Sequence, residues 1–389
     1  VKLADQNESK MHSQKVILST IMRHYPISRA KLSELTNLNK ATVSLQTNTL
    51  IEKHLVSEIG VGVSNGGRKP ILLVFNKNAG YSIGVELAAN YILTILIDLE
   101  GNMLFSDYFE FINESMEALQ SFLIDRIRLV TNHAPESPYG IIGIGVGVHG
   151  FVNENQMVVY TPHSNWDKVN IKSLLEDHFN FPVFMDNEAN AGAFGEKLYG
   201  AIKNSDNSIY ISVGTGIGLA IMVNNQLYRG SDGVSGEMGH MTIEFNGKKC
   251  GCGNQGCWEL YASERAFFTN LSRIKNGREL TLEKANKMIQ ENDGDILMEI
   301  EKFGYYFGVG LTNLINTFNP DSIVLRSNLI EANPIILKSI KKAVSNRISM
   351  YIPLKNEIFI SQLNKNAASL GAASFMIKKF LEDSKILND

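Results

Sequence analysis

The chain has 389 residues, 44% of them apolar and 20% charged, which exceeds one ordinary core and predicts two or three well-packed domains. Apolar runs such as Tyr91 to Leu99 fall far short of a membrane span, no hydrophobic secretory segment opens the sequence, and three cysteines cannot build an extracellular disulfide framework, so a cytoplasmic protein without membrane contact is expected. The net charge of −3 divides unevenly: residues 1–75 hold ten Lys and Arg against five Asp and Glu, and the remainder holds 27 against 35, as in a nucleic-acid module joined to an acidic body.

Helical periodicity runs from His12 to His24, where Val16, Ile17, Ile21 and Met22 can share a face, and Pro26 stops it. Ser28 stands where an N-cap belongs for a short helix ending near Thr36, and Asn37 and Asn39 bracket a turn into a third helix, about Lys40 to Lys53. That arrangement is a helix-turn-helix. Asn39, Lys40, Thr42, Ser44, Gln46 and Thr47 cluster near the start of the third helix, short polar groups able to approach phosphates and base edges. Leu55 to Ile59 and Ile71 to Phe75 read as strands around SNGGRKP, whose Asn65, Gly66 and Gly67 suit a hairpin turn. The hairpin makes a wing, with Arg68 as a minor-groove finger and Lys69 as a phosphate contact.

From Gly80 a three-stranded meander and an amphipathic helix, Ser115 to Asn132, open an α/β domain. The strand IIGIGVGVHG ends in glycines, PVFMDNEANAG leads into a helix, and SIYISVGTGIGLAIMVNNQLYRG returns as a hairpin. Two similar halves of this kind predict a duplicated fold with a cleft between lobes.

All three cysteines and one histidine then fall between Gly239 and Glu259. His240, Cys250, Cys252 and Cys257 supply one nitrogen and three sulfurs, a tetrahedral set for Zn²⁺. GKKCGCGNQG is too polar for a core loop. Four protein ligands leave no coordination position for a reacting water, so one structural zinc per chain is expected.

These motifs together carry a resemblance. With GGRKP in the wing, PHSNW, DNEANAGAFGEKLYGA, ISVGTGIG, the SGEMGH box and CGCGNQGCWELYAS, the chain resembles the ROK family of repressors, open reading frames and sugar kinases, and within it most of all the repressors that answer to D-xylose. The resemblance spans nearly the whole sequence. It implies an α/β chain: an N-terminal winged helix-turn-helix over 1–75, then a two-lobed actin-like (hexokinase-like, ribonuclease H-like) body. The first lobe takes 76–190 and is joined by a C-terminal helix at 375–389; the second takes 191–374 with the zinc loop and a dimerisation surface.

The family's zinc ligands fall on the same four residues, and its sugar-contacting positions on Asn187, Glu188, Glu237, His240 and Glu259, with His163 of PHSNW as a further member. Carboxylates, amides and imidazoles suit hydroxyls that both donate and accept, and His240 can bind zinc through one ring nitrogen and a hydroxyl through the other. The family's kinases place an aspartate where this chain has Glu188, and an x-Gly-Gly-Thr phosphate turn where it has Leu87, Ala88, Ala89 and Asn90. Arg326, Ser327 and Asn328 replace the Gly-Gly turn under adenosine. A binding protein without kinase chemistry is therefore expected: a repressor on palindromic operator DNA, a homodimer or tetramer, released by D-xylose, with glucose able to enter as an antagonist.

Overall fold

The computed structural model describes residues 2–61, 70–112, 114–161, 166, 170–349, 351, 357–383 and 386. Three helices form the head: α1 (Lys2–His24), α2 (Arg29–Thr36) and α3 (Lys40–Glu52). Helix α1 begins ten residues before the periodicity does, and its fully buried face is Gln14, Ile17 and Ile21. Ser28 caps α2, its side chain accepting from the Lys31 N–H at 3.2 Å, and Asn39 caps α3, accepting from Thr42 N–H at 2.8 Å. Asn37 between them takes the left-handed conformation that ends a helix, with φ of 56°.

Strand β1 (Ile27–Ser28) adds a short third member to the wing sheet, pairing with β3 (Ile71–Phe75), which also pairs antiparallel with β2 (Val56–Val61). The hairpin tip with Arg68 and Lys69 lies outside the described residues.

The first large sheet has strand order β10-β7-β4-β5-β6, built from β4 (Tyr81–Leu87), β5 (Tyr91–Asp98), β6 (Met103–Glu110), β7 (Ile141–Val148) and β10 (Val183–Asn187). Helix α4 (Met116–Thr131), capped by Ser115, buries Leu119, Leu123, Ile127 and Val130 against it, at helical spacing along one face. A small hairpin of β8 (Phe151–Val152) and β9 (Val158–Tyr160), then α5 (Ile171–Phe179), lead back into the sheet. Helix α6 (Glu188–Tyr199) starts directly from the end of β10.

The second sheet, of order β13-β12-β11-β14-β15, combines the hairpin β11 (Ser208–Val213) and β12 (Ile217–Val223), β13 (Gln226–Tyr228), β14 (Ser322–Arg326) and β15 (Glu357–Ile360). Both sheets thus combine antiparallel strands with parallel neighbours, as the duplicated pattern predicts. Its covering helices are α7 (Glu259–Ala262), α8 (Glu264–Ile274), α9 (Leu282–Gln290), the long α10 (Gly294–Phe318), α11 (Asn328–Ala332) and α12 (Pro334–Ser345). No helix among the described residues is long and apolar enough to cross a membrane.

The last helix, α13 (Ala367–Glu382), begins eight residues before the expected start at 375 and ends before 389. Its first turns are small residues because it is pressed into the body. A Cβ on Gly371 would lie 1.7 Å from the Ala191 carbonyl oxygen of α6, and one on Gly145 of β7 would lie 1.9 Å from that of Ala372. Only glycine admits such approaches.

Head and body share one hydrophobic cluster, in which Ile17, Leu50, Leu55 and Leu73 join Leu93, Ile95, Ile97, Leu370 and Ile377. Burying each such side chain stabilises by about 1.5–3 kcal/mol, whereas an exposed pair contributes about 0–1 kcal/mol. Apolar packing therefore dominates this union, and the Tyr25–Glu100 hydrogen bond adds direction.

Candidate functional site

The edge of the cleft is set where β10 turns into α6. Asn187 is the N-cap: its Oδ1 accepts from Ala189 N–H at 2.8 Å, and its Nδ2 donates to the Gly150 carbonyl at 2.8 Å. Both ends of this amide help to fix the first turn, and the second Nδ2–H, which no bond among the described residues uses, remains for a ligand. Glu188 follows as the first helical residue, only 5% exposed. Asp186, just before the cap, accepts from Asn190 at 2.8 Å and pairs with Arg229.

Across the cleft stands the GTGIG turn joining β11 and β12. A Cβ on Gly216 would lie 2.7 Å from Glu259 Oε2, and one on Gly218 would lie 3.5 Å from Glu188 Oε2. The two carboxylates therefore flank a single hairpin. The segment carrying Glu237 lies against the same hairpin, since a Cβ on Gly239 would meet the Ile217 carbonyl at 2.2 Å. Burial, and then the charge of Glu259, push the Glu237 carboxyl up to about 7. Glu188, Glu237, His240 and Glu259 thus border one polar recess, while His163 lies outside the described residues.

His240 turns its Nδ1 toward Cys250 Sγ at 3.7 Å, and Cys252 Sγ lies 3.8 Å from Cys257 Sγ. All four ligand atoms lie within 4.8 Å of one another. A tetrahedron with metal–sulfur bonds of about 2.3 Å has edges of roughly 3.8 Å, so these spacings fit one metal ion. Burial, then hydrogen bonds with the other two cysteines, push the Cys257 thiol up to about 12, so without a cation it keeps its proton, and a metal ion would have to displace it. With Nδ1 aimed at the clasp, Nε2 is the ring nitrogen left for the recess.

Glu259 belongs to both features, its Oε1 lying 3.5 Å from Cys250 Sγ and 3.7 Å from His240 Nδ1. Trp258 anchors the clasp in the second lobe, donating to the Tyr306 carbonyl at 3.0 Å against Gly310, where a Cβ would come within 2.2 Å of the indole.

A second polar group sits on the far side of Glu188. His149 Nε2 lies 2.9 Å from Glu86 Oε1, which also accepts from the Tyr91 hydroxyl. Arg326, ending β14, is 8% exposed. Burial disfavours the charge of Arg326, but its neighbours, Glu86 first, outweigh burial and hold the guanidinium charged. Sequence reading registered Arg326 only as a missing glycine. An arginine closing the apolar run SIVLR was the available signal.

On the head, Lys40 and Ser44 are exposed, Thr42 is half-buried, and Asn39 uses its side chain as a helix cap. Gln46 corrects the expected groove face. It is 5% exposed and its Oε1 accepts from Gln14 at 2.8 Å, because Val43, Gln46, Thr47 and Leu50 repeat at the spacing of the inward stripe. The outward face instead presents Leu45, 64% exposed, and Asn48, residues the sequence reading passed over. Asn48 is held by Arg29 Nη2 at 2.9 Å.

A model of the ROK family matches residues 82–379. The chain is 49% identical over 384 residues to the xylose repressor of Bacillus spizizenii, covering 99% of this chain and 100% of that one. In structure it resembles a ROK family transcriptional regulator described as a homologue of Escherichia coli Mlc, with a TM-score of 0.82, 27% identity and 98% of each chain covered. A ROK family glucokinase from Streptomyces griseus, in complex with glucose and AMPPNP, aligns with a TM-score of 0.70 and 26% identity, covering 76% of this chain and 99% of its own.

Proposed function

The chain belongs to the ROK family, and from that premise we propose that it is a transcriptional repressor whose cleft binds D-xylose and whose head holds operator DNA until the sugar arrives. The observation that carries this reading is one continuous chain in which a helix-turn-helix head packs into the same core as a body whose recess gathers Glu188, Glu237, His240 and Glu259. Residues 1–75 read DNA, 76–190 with α13 form the first lobe, and the second begins at 191. Lys40, Thr42, Ser44, Arg68 and Lys69 meet the operator, with Leu45 and Asn48 added.

Zinc in the His240, Cys250, Cys252 and Cys257 clasp is structural: when bound, it neutralises the thiolates and fixes the loop between two sugar-binding carboxylates. Glu237, Glu259 and His240 Nε2 hold sugar hydroxyls, Glu188 faces them from α6, and Asn187 keeps Glu188 in register. His163 is a further sugar contact in this reading. Among the described residues, nothing in the recess selects a pentose over a hexose, and glucose enters as an antagonist.

Helix α6, which begins at Glu188, lies along α13, and α13 leads to the head: Phe380 stacks edge-on against Tyr139, whose hydroxyl donates to the Lys53 carbonyl at 2.9 Å. Lys53 caps the DNA-reading helix α3 and donates through Nζ to the Ile386 carbonyl at 2.9 Å. A change at the first turn of α6 has a packed route to α3. Two such heads in a dimer match a palindromic operator. To empty it, sugar must prefer the released state by about a hundredfold or more.

The test is fluorescence anisotropy of DNA fragments flanking the gene, at fixed near-physiological salt, with a panel of monosaccharides. Specific binding weakened by D-xylose supports the reading, and specific binding indifferent to every sugar contradicts the effector half of it.

A further inference from the structure

The cluster beside Glu188 is not needed to hold a sugar, and its composition is unusual for a buried site. Glu86 is 1% exposed on β4 of the first sheet, and Arg326 ends β14 of the second. Between them lie His149, after β7, and Glu188 at the start of α6, which packs against strands of both sheets. Glu86 Oε2 has no hydrogen-bond partner, and Arg326 forms no ion pair within 4.0 Å among the described residues. Their attraction acts across a gap between the two sheets.

Two carboxylates and an imidazole whose ligand atoms lie within 4.8 Å of one another would also suit a divalent cation. Charge decides against it. Burial opposes protonation of His149, yet Glu188 and Glu86 outweigh it and raise the imidazole above its ordinary value. Burial alone would likewise raise Glu86, and His149 followed by Arg326 hold it below. Two carboxylates already face a guanidinium and an imidazole that favours its charged form, and an added cation would meet the guanidinium in a low-dielectric space.

We propose that Glu86, His149, Glu188 and Arg326 form an inter-lobe clamp that couples occupancy of the sugar recess to the relative position of the two lobes. The inference rests on the repressor reading above. Glu188 is the shared member: its carboxylate borders Gly218 of the GTGIG hairpin, Gly218 pairs with Ser212 and Ser212 with Arg326 in the second sheet, and on the first-lobe side its ligand atom lies within 4.8 Å of those of His149 and Glu86. A sugar hydroxyl that engages Glu188 changes the field in which Arg326 sits. Because no direct ion pair ties Arg326 to the carboxylates, a small shift of either lobe alters its attractions to Glu86 and Glu188 together. His149 and Arg326 are positioning residues that act through Glu188.

The experiment compares wild type with Arg326→Gln, Arg326→Lys and His149→Gln. It reads D-xylose affinity by calorimetry, operator affinity by anisotropy with and without D-xylose, and divalent metal per chain by elemental analysis. His149 keeps 30% of its side chain exposed, so its replacement is the variant least exposed to folding failure. Expected are D-xylose Kd values within about threefold of wild type, a sugar-induced loss of operator affinity reduced at least about tenfold in Arg326→Gln and His149→Gln, and partial recovery in Arg326→Lys. Variants that keep the full sugar response overturn the clamp, as do variants that lose sugar binding and response together. One metal equivalent per chain is expected; a second that disappears in Glu86→Gln overturns it in favour of a cation site. A wild type that binds operator but ignores every sugar removes the repressor reading itself, an outcome distinct from the others.

Discussion

The two ends of the cleft meet at Glu188 and are built on opposite plans. On one side Glu237, Glu259 and His240 are held by elements that leave polar atoms directed into the recess, with the clasp and Trp258 acting as scaffold. On the other, His149 and Tyr91 direct their polar atoms at Glu86, and Arg326 is held in the field of Glu86 and Glu188. Ala88 and Ala89 stand in the turn after β4, and Ala88 N–H closes that turn on the Tyr91 carbonyl at 3.0 Å. Ser327 caps α11 and donates to Glu264 at 2.7 Å. A two-lobed fold can thus keep a binding half open while the other half becomes internal structure.

The largest effect expected comes from the scaffold of the open half. Cys257, fully buried, replaced by Ser should release the metal, because a structural zinc contributes on the order of 10 kcal/mol or more, and D-xylose affinity should fall at least about a hundredfold. Elemental analysis and calorimetry check it; full metal retention would remove Cys257 from the ligand set. Next, Glu259→Gln should weaken D-xylose by about 2 kcal/mol, the scale of a hydrogen bond to a charged group, and leave operator affinity in the absence of sugar unchanged. Equal sugar titration curves would take Glu259 out of the recess.

A finer contrast lies within one hairpin. Gly216→Ala places a methyl 2.7 Å from Glu259 Oε2, whereas Gly218→Ala places one 3.5 Å from Glu188 Oε2, an ordinary contact. The first should weaken sugar binding several-fold by displacing the carboxylate, with little change in melting temperature. The second should be near neutral. Equal behaviour of the two would contradict the placement of Glu259.

The smallest effect concerns the internally paired half. The pKa of His149 is raised from 6.5 because Glu188 and Glu86 outweigh the opposing effect of its burial. Its contribution to stability is therefore fully present below about 6.5 and is lost as pH rises through the raised value. Thermal melts of wild type and His149→Gln should differ most at mildly acidic pH and converge as the solution is made alkaline. A difference that grows with pH would reverse the assignment of charge.

Much of this was legible in the sequence because it is local. Ser28, Asn39, Ser115 and Asn187 announce helix starts, and each caps one. The clasp was legible because its ligands lie within twenty residues of one another. What escaped depends on partners distant in sequence. Gln46 looked like a reading-face residue until Gln14, 32 residues away, claimed it. The start of α13 hid in small residues that only their contacts with α6 and β7 explain. Arg326 read as a lost glycine because Glu86 lies in the other sheet, and no local pattern joins them.

The most direct measurement is calorimetric titration of the zinc-loaded chain with D-xylose and, separately, with Mg²⁺-ATP, followed by analysis of the mixture for phosphorylated sugar. We predict saturable D-xylose binding, no heat from nucleotide and no phosphorylated product. Nucleotide binding or sugar phosphate in the mixture would contradict the proposed cleft, which binds sugar without kinase chemistry.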